Sequence, residues 1–200
     1  MLHAEGKNAQ GGDTHTGTVA GEPCALAPRS AYRRANELPF KNSLPEAQSD
    51  FMRAVIQRVL KACVSVAGEK HASIEQGLLV LVGVGSDDSA GDVSYLAEKT
   101  AGLRIFEDAK GRMNRSVEDI GGALLVVSQF TIFGDVRSGR RPNFRSAATS
   151  KKAELLYGQY VDQLKSRDLK VETGIFQAAM KVDLVNYGPV TILLDSKKNF

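Results

Sequence analysis

The sequence predicts an α+β domain in which two principal helices pack on a mainly antiparallel sheet or open barrel. Segments typical of strands, rich in β-branched residues or continuously apolar, far outnumber the helical patterns. The two helical patterns do not alternate regularly with the strands, as helices do in α/β folds. With 200 residues and no internal repeat, the chain has room for one ordinary domain with a hydrophobic core.

The predicted domain begins with strands. Residues 53–66 predict a strand because valine recurs along them. A turn over residues 67–70 leads to a short strand that ends at Ile74, and a second turn follows at Gln76. Residues 78–84 are continuously apolar and of strand length, so we expect a strand that is buried on both faces.

A helix is predicted next, and it is followed by a hairpin. Asp88 or Ser89 is placed to cap the helix, and Gly102 is placed to end it. Residues 103–106 then predict a strand, and residues 109–111 the tip of a hairpin. The helix is predicted because apolar or small side chains recur at i, i+3, i+4 and i+7, namely Val93, Leu96, Ala97 and Thr100.

The second half contains the other helix. A strand is predicted over residues 123–130 and a loop over residues 134–145. Ser150 is placed to cap a helix whose apolar face comprises Leu156, Tyr160 and Leu164. Two or three further strands complete the chain, the last of them over residues 190–194.

Residues 1–51 have a different composition from residues 52–200, which we assign to the folded domain. The first segment lacks a hydrophobic period, so we expect a disordered or poorly ordered extension. A targeting peptide is an alternative interpretation, because arginines occur at positions 29, 33 and 34. Such peptides are poor in acidic residues, however, and several acidic residues occur here. An internal start at Met52 is a third interpretation.

The composition excludes several kinds of site. Cys24 and Cys63 form neither a disulfide framework nor a zinc-binding spacing, which indicates a reducing compartment. Only His71 among three histidines lies in the predicted domain, so no base is evident for a Ser-His-Asp triad and no cluster is evident for a metal. A net charge of +3 means that nucleic-acid binding requires a local basic patch. No apolar stretch approaches the roughly 20 residues that span a membrane.

Two short motifs have the character of polar segments at the ends of buried strands. One follows an apolar run and comprises Ser128, Gln129, Phe130, Thr131 and Ile132. The other opens an apolar run and comprises Asn186, Tyr187, Gly188, Pro189, Val190 and Thr191. The bond before a proline is the only kind that becomes cis at modest cost, although trans is the usual form.

These motifs, after the opening Met52-Arg53-Ala54-Val55-Ile56-Gln57-Arg58-Val59, resemble those of the D-aminoacyl-tRNA deacylase family. The resemblance extends from Met52 to about Ser196, with Ile132 and Asn143 as mild departures. It implies a β-barrel-like core, a cytoplasmic homodimer and hydrolysis of the ester that joins a D-amino acid, or glycine, to tRNA. It implies neither a metal nor an organic cofactor.

The resemblance also implies roles for individual residues. The first motif, with Ser128, Gln129, Phe130 and Thr131, is expected to be catalytic through main-chain atoms; a nucleophilic Thr131 is the alternative, and local hydrogen bonding is the ordinary role of such a residue. A cis Gly188-Pro189 bond is expected to enter the partner's active site and to reject L side chains by collision. Asn186 and Arg58 belong to this filter, with Arg58 as its brace, whereas Phe176 and Met180 match an adenosine pocket or serve ordinary packing.

A basic loop lies between the motifs. Arg137, Arg140 and Arg141 belong to a nine-residue segment with four arginines, which is suited either to the tRNA backbone or to solvent. Two other functions remain open at this point: an RNA-binding or synthetase-associated module without activity, and an editing enzyme that removes a misattached L-amino acid.

Overall fold

The computed structural model describes residues 51–198, so the predicted N-terminal extension lies, apart from Phe51, outside the described residues. None of the described helices is both long and apolar enough to cross a membrane. The described elements in chain order are β1 (Arg53–Val66), β2 (Glu69–Ile74), β3 (Gly77–Gly83), α1 (Ala90–Gly102), β4 (Phe106–Glu107), β5 (Met113–Arg115), β6 (Ala123–Ser128), a 3₁₀ helix (Phe130–Phe133), α2 (Ser150–Lys165), β7 (Lys170–Thr173) and β8 (Met180–Asp195).

The six long strands form one mixed, nearly closed sheet, and the predicted α+β class is confirmed. Its order is β2-β1-β3-β6-β7, and β8 also pairs with β1. Strand β1 is antiparallel to β2, β3 and β8, as expected. The β3–β6 and β6–β7 pairs are parallel, however. Helix α1 lies between β3 and β6 in the chain and α2 between β6 and β7, because parallel neighbours need a long crossover connection.

Strand β6 is buried on both faces because two hydrophobic cores enclose it. Leu124 and Val126 belong to the core that includes side chains of α1 and α2. Leu125 and Val127 face the second core, which includes side chains of β1 and β2. The continuous apolar run in the sequence therefore reflects a strand between two cores.

Several predicted boundaries differ from the observed ones. The strand predicted over residues 123–130 ends at Ser128, and Phe130 opens the 3₁₀ helix. The strand predicted over residues 103–106 is reduced to the two-residue β4. Thr149, one residue before the predicted Ser150, occupies the N-cap position of α2 without a side-chain capping hydrogen bond, whereas Ser89, one of the two expected residues, is at the N-cap of α1.

Strand β8 differs most from the prediction, because it is one strand of 16 residues that contains the whole second motif. Its pairing with β1 continues on both sides of Gly188-Pro189, with register shifts beside Val59. The predicted last strand began after Pro189, whereas this proline lies inside β8. The irregular pairing with β1 at this point accommodates a residue that has no backbone N–H group. The motif is therefore held within the sheet, and not in a free turn.

Candidate functional site

A cavity of about 830 Å³ opens where β3 and β6 end. Gly83 and Ser128 contribute the ends of these strands to its wall. The N-terminal part of α2 and the segment between β7 and β8 form the opposite side, and Gln177 Nε2 donates a hydrogen bond to Ser150 Oγ at 2.7 Å between them. The volume is sufficient for a ligand of nucleoside size, since small-molecule sites measure about 300–1,000 Å³.

The first motif lies at this cavity. Ser128, Gln129 and Phe130 line it, whereas Thr131 is not among the lining residues. The Gln129 backbone N–H donates to Val82 O at 2.7 Å, which ties the motif to β3. The Gln129 side-chain amide donates to Thr131 Oγ1, so the threonine hydroxyl is already engaged.

The chain turns into the 3₁₀ helix within the motif, and this turn frees backbone donors. The first N–H groups of a helix have no partner inside the helix. Within residues 51–198, no acceptor is bonded to the amide N–H groups of Phe130 and Thr131. These two groups are therefore available to a ligand oxygen at the edge of the cavity.

Aromatic side chains line the inner and outer parts of the cavity. Tyr157 and Phe176 lie with ring centroids 6.0 Å apart, and the Tyr157 hydroxyl donates to Val126 O at 2.9 Å. Burial raises the pKa of Tyr157 to about 12, so this hydroxyl stays neutral near pH 7. At the rim, Phe130 is 58% exposed and meets Phe144 edge to face at 5.0 Å.

Met180 also lines the cavity, so both residues assigned to an adenosine pocket lie at this site. Tyr157 was missed by the sequence reasoning, although it follows Leu156 and precedes Tyr160 by three positions on the buried face of α2. Helical periodicity could have placed it inside, but nothing in the pattern distinguished a cavity wall from core.

The second motif lies elsewhere on the chain and is held by side chains. The Gly188-Pro189 peptide bond is cis, and both residues are exposed. Asn186 Nδ2 donates to Gln57 Oε1 at 2.8 Å, and Asn186 Oδ1 accepts the Val190 N–H at 2.8 Å. Asn186, which precedes the exposed segment, is therefore bonded both to β1 and to Val190, which follows the segment.

Arg58 lies beneath this segment and is only 2% exposed. Its Nε donates to Tyr187 O at 2.9 Å, and its Nη1 donates to Ile105 O at 2.6 Å. Its guanidinium carbon lies 4.5 Å from the centroid of the Tyr187 ring, and its Nη2 is 4.0 Å from Glu107. A planar group with several fixed donors suits this position better than a flexible ammonium would.

Within one chain the two motifs are well separated. Gly83 of the cavity pairs with Arg53, while the second motif contacts Arg58, five residues further along β1. At about 3.3 Å per residue, this places Gly188-Pro189 roughly 16 Å along β1 from the cavity. Neither Gly188 nor Pro189 lines the cavity of its own chain.

The basic loop is closed by a β-bridge between Asp135 and Asn143. Arg137 pairs with Asp135 through two of its nitrogens, each at 2.9 Å, and its guanidinium holds the pKa of Asp135 well below the usual value. Arg140 and Arg141 are exposed, and neither forms an ion pair within the described part of the chain. Arg145, the fourth arginine of the loop, is also exposed and forms no ion pair among the described residues, so the uncompensated charge of the loop lies at these three arginines.

The sequence and the fold are both similar to those of known proteins. Residues 55–195 match the family described as D-Tyr-tRNA(Tyr) deacylase. The D-aminoacyl-tRNA deacylases of Koribacter versatilis (strain Ellin345) and Thermosipho africanus (strain TCF52B) are 59% and 58% identical over 149 residues, which cover 74% of this chain and all of each relative.

Two solved structures share the fold. One is described as c-Myc DNA Unwinding Element Binding Protein, with a TM-score of 0.67, 38% identity, and 71% of this chain and 97% of that chain covered. The other is a probable eukaryotic D-amino acid tRNA deacylase, with a TM-score of 0.64, 16% identity, and 72% and 99% covered. At 16% identity, the second likeness shows the fold alone.

Proposed function

The chain belongs to the D-Tyr-tRNA(Tyr) deacylase family, and we propose that it hydrolyses the ester that joins a D-amino acid to tRNA. The products are the free amino acid and free tRNA, so the reaction is proofreading of chirality in translation, in the cytoplasm. The observation that carries the proposal is 59% identity to a D-aminoacyl-tRNA deacylase along that protein's whole length.

The cavity supports this substrate class. Its volume of about 830 Å³ fits a terminal adenosine with an attached aminoacyl group. Phe176 and Met180 offer apolar surface to the adenine, and the neutral Tyr157 hydroxyl keeps this part of the wall free of charge. Ser128, Gln129 and Phe130 lie at the other side, where the ester would be presented.

The chemistry we propose relies on backbone groups. Water attacks the ester carbonyl carbon and gives up a proton. The bond between this carbon and the ribose oxygen breaks, and the ribose oxygen takes up the proton and leaves as a hydroxyl. The N–H groups of Phe130 and Thr131 stabilise the negative charge that develops on the carbonyl oxygen. Fixed donors of this kind lower a barrier because they need no reorganisation during the reaction.

A nucleophilic Thr131 fits the geometry less well. Its hydroxyl is bonded to Gln129, and it does not line the cavity. The single histidine of the described residues, His71, is on β2 and does not line the cavity either. A hydroxyl without a base is a weak nucleophile. In this mechanism Thr131 therefore contributes its backbone N–H group, and its hydroxyl positions the Gln129 side chain by accepting a hydrogen bond from it.

The same proposal assigns selectivity to Gly188 and Pro189 of a second subunit. These residues are exposed, braced by Arg58 and Asn186, and too far from their own cavity to act on it. In a homodimer, their carbonyl groups would form a wall beside the substrate α-carbon. An L side chain would collide with the wall, whereas a D side chain would point away from it.

Glycine has no side chain, so it would pass the wall, and glycine attached to tRNA(Ala) is included in the proposed substrates. Arg140 and Arg141 are proposed to contact the tRNA backbone, since both are exposed arginines of the basic loop that form no ion pair among the described residues. Such contacts would be insensitive to nucleotide sequence. Arg137 contributes less, because Asp135 already occupies its guanidinium.

The test is incubation with D- and L-tyrosyl-tRNA of the same tRNA. Hydrolysis of the D ester alone supports the proposal. Hydrolysis of the L ester alone assigns the protein to the editing of L-amino acids, and binding without hydrolysis assigns it to RNA-binding modules.

A further inference from the structure

A buried carboxylate outside the cavity has an unused oxygen. Asp88, just before α1, is only 4% exposed. Its Oδ2 accepts the Gly85 N–H at 2.6 Å, whereas its Oδ1 has no hydrogen-bond partner in the described part of the chain. An ionised carboxylate can accept several hydrogen bonds, and a buried oxygen without one is costly. Oδ1 can therefore accept one more hydrogen bond, and a positively charged donor would stabilise the carboxylate most.

The main chain of Met52 lies against this carboxylate. The Met52 main-chain N–H is close enough to Asp88 to lower the pKa of that carboxyl, and the Met52 carbonyl accepts the Ser196 N–H at 3.0 Å. Met52 is fully buried, so its backbone is fixed between the loop that follows β3 and the end of β8. If the chain began at Met52, this nitrogen would be an ammonium with three donors and a positive charge.

Known relatives have a length that matches such a start. The deacylases of Koribacter versatilis and Thermosipho africanus align over 149 residues and over their whole length. This number equals the number of residues from Met52 to the last residue of the present chain. These relatives therefore lack a segment that corresponds to the first 51 residues.

We propose that Asp88 is the binding site for the α-amino group of a form of this protein that begins at Met52. The ammonium would donate to both carboxylate oxygens, Oδ1 included, and would form a charge-assisted pair with Asp88. In the longer chain the same nitrogen is an uncharged peptide N–H with one donor. The pocket would thus distinguish the two N-terminal forms, and it would favour the shorter one.

Both negative and positive side chains surround the proposed pair of the Met52 ammonium and the Asp88 carboxylate. Asp92 of α1 adds a second negative charge on the Asp88 side, and Lys197 lies 3.8 Å from it. The positive charge of Lys152 on α2 lowers the pKa of Asp88 slightly, and its Nζ donates a hydrogen bond to Ser86 O at 2.5 Å. In the longer chain, burial raises the pKa of Asp88 to about 7, as expected for a carboxyl that lacks a full partner.

The experiment compares the reactivity of the α-amino group in the chain that begins at Met52, a length at which the relatives are complete proteins. An amine-acylating reagent is applied between pH 6 and 9, and labelling of the N-terminal peptide is measured by mass spectrometry. We expect a pKa above the usual value of about 7.7–8.0 and labelling at pH 7 at least about tenfold slower than in Asp88→Asn. Asp87→Asn changes the exposed neighbouring carboxylate and should label like the parent.

Equal labelling of the parent and of Asp88→Asn would overturn the proposal. If Asp88→Asn does not fold, the parent alone decides, from its pH profile in the native state and in urea. A native pKa above the value in urea supports the ammonium–carboxylate pair. A native pKa equal to or below that value contradicts it, because burial without a charged partner lowers the pKa of an amine.

Discussion

Substitution of Gly188 by alanine tests whether the second motif needs its observed backbone. The residue has φ +131°, a conformation that residues with a side chain rarely adopt. A Cβ atom at this position would lie 2.6 Å from Val190 Cγ2 and 2.9 Å from Arg58 Nη2. Both neighbours are themselves constrained, since Val190 is 7% exposed and Arg58 is 2% exposed.

The cost can be estimated from these contacts. An unfavourable backbone conformation costs about 1–3 kcal/mol, and the two close contacts must be relieved by moving the segment. We therefore expect Gly188→Ala to lower the free energy of unfolding by about 2 kcal/mol and to reduce the ratio of D-ester to L-ester hydrolysis by about tenfold or more. The loss of selectivity follows because a displaced wall no longer meets the L side chain.

Urea unfolding measures the first quantity, and single-turnover hydrolysis of D- and L-tyrosyl-tRNA measures the second. Gly158→Ala is the matched control, since a Cβ there has no neighbour within 4 Å and the glycine lies inside α2. This control should keep its selectivity and gain up to about 1 kcal/mol of stability. If Gly188→Ala kept the full preference for the D ester although the Gly188-Pro189 segment had moved, the assignment of the wall to Gly188 would be refuted.

Three further predictions concern the catalytic motif, the basic loop and the buried acid. Thr131→Ala should keep substantial single-turnover activity, whereas loss of a true nucleophile would cost roughly 10⁴–10⁶-fold in kcat; a drop of that size in a folded variant would assign Thr131 to the chemistry. Arg140→Ala with Arg141→Ala should lower the log–log salt slope of tRNA binding by about one unit or less per lost contact, and an unchanged slope would assign the loop to solvent or to the dimer interface. In the full chain, the raised pKa of Asp88 means that its stabilising effect is complete below the unfolded value of 3.8 and is lost as the pH rises to about 7. Asp88→Asn should therefore remove up to about 4 kcal/mol of pH-dependent unfolding free energy between pH 4 and 7, and an unchanged dependence in urea titrations would contradict the pKa shift.

Most strands and helices could be predicted from the sequence because each has a strong local pattern of side chains. The valine-rich strand at residues 53–66 and the helix capped by Ser89 lie where they were expected. The parallel pairing of β6 with β3 and β7 was not predicted, since side-chain periodicity does not report strand direction. The strand that ends at Ser128 was predicted too long because apolar residues continue at Phe130 and Ile132, although the backbone there is 3₁₀.

The candidate site depended more on resemblance than on pattern. Phe176 and Met180 have no local signal, and only the family likeness brought them together with Ser128. Tyr157 had a signal, but it is one that core residues share. The roughly 16 Å between the cavity and Gly188 is a property of strand register, which no single segment encodes.

The proposed D-specific activity can be measured directly as hydrolysis of D- and L-tyrosyl-tRNA, prepared on the same tRNA and followed by release of the labelled amino acid. We expect the D ester to be hydrolysed while the L ester is hydrolysed no faster than in the reaction without protein. Release of the L-amino acid at an equal or faster rate, or no release of either one by a folded protein that binds the tRNA, would contradict it.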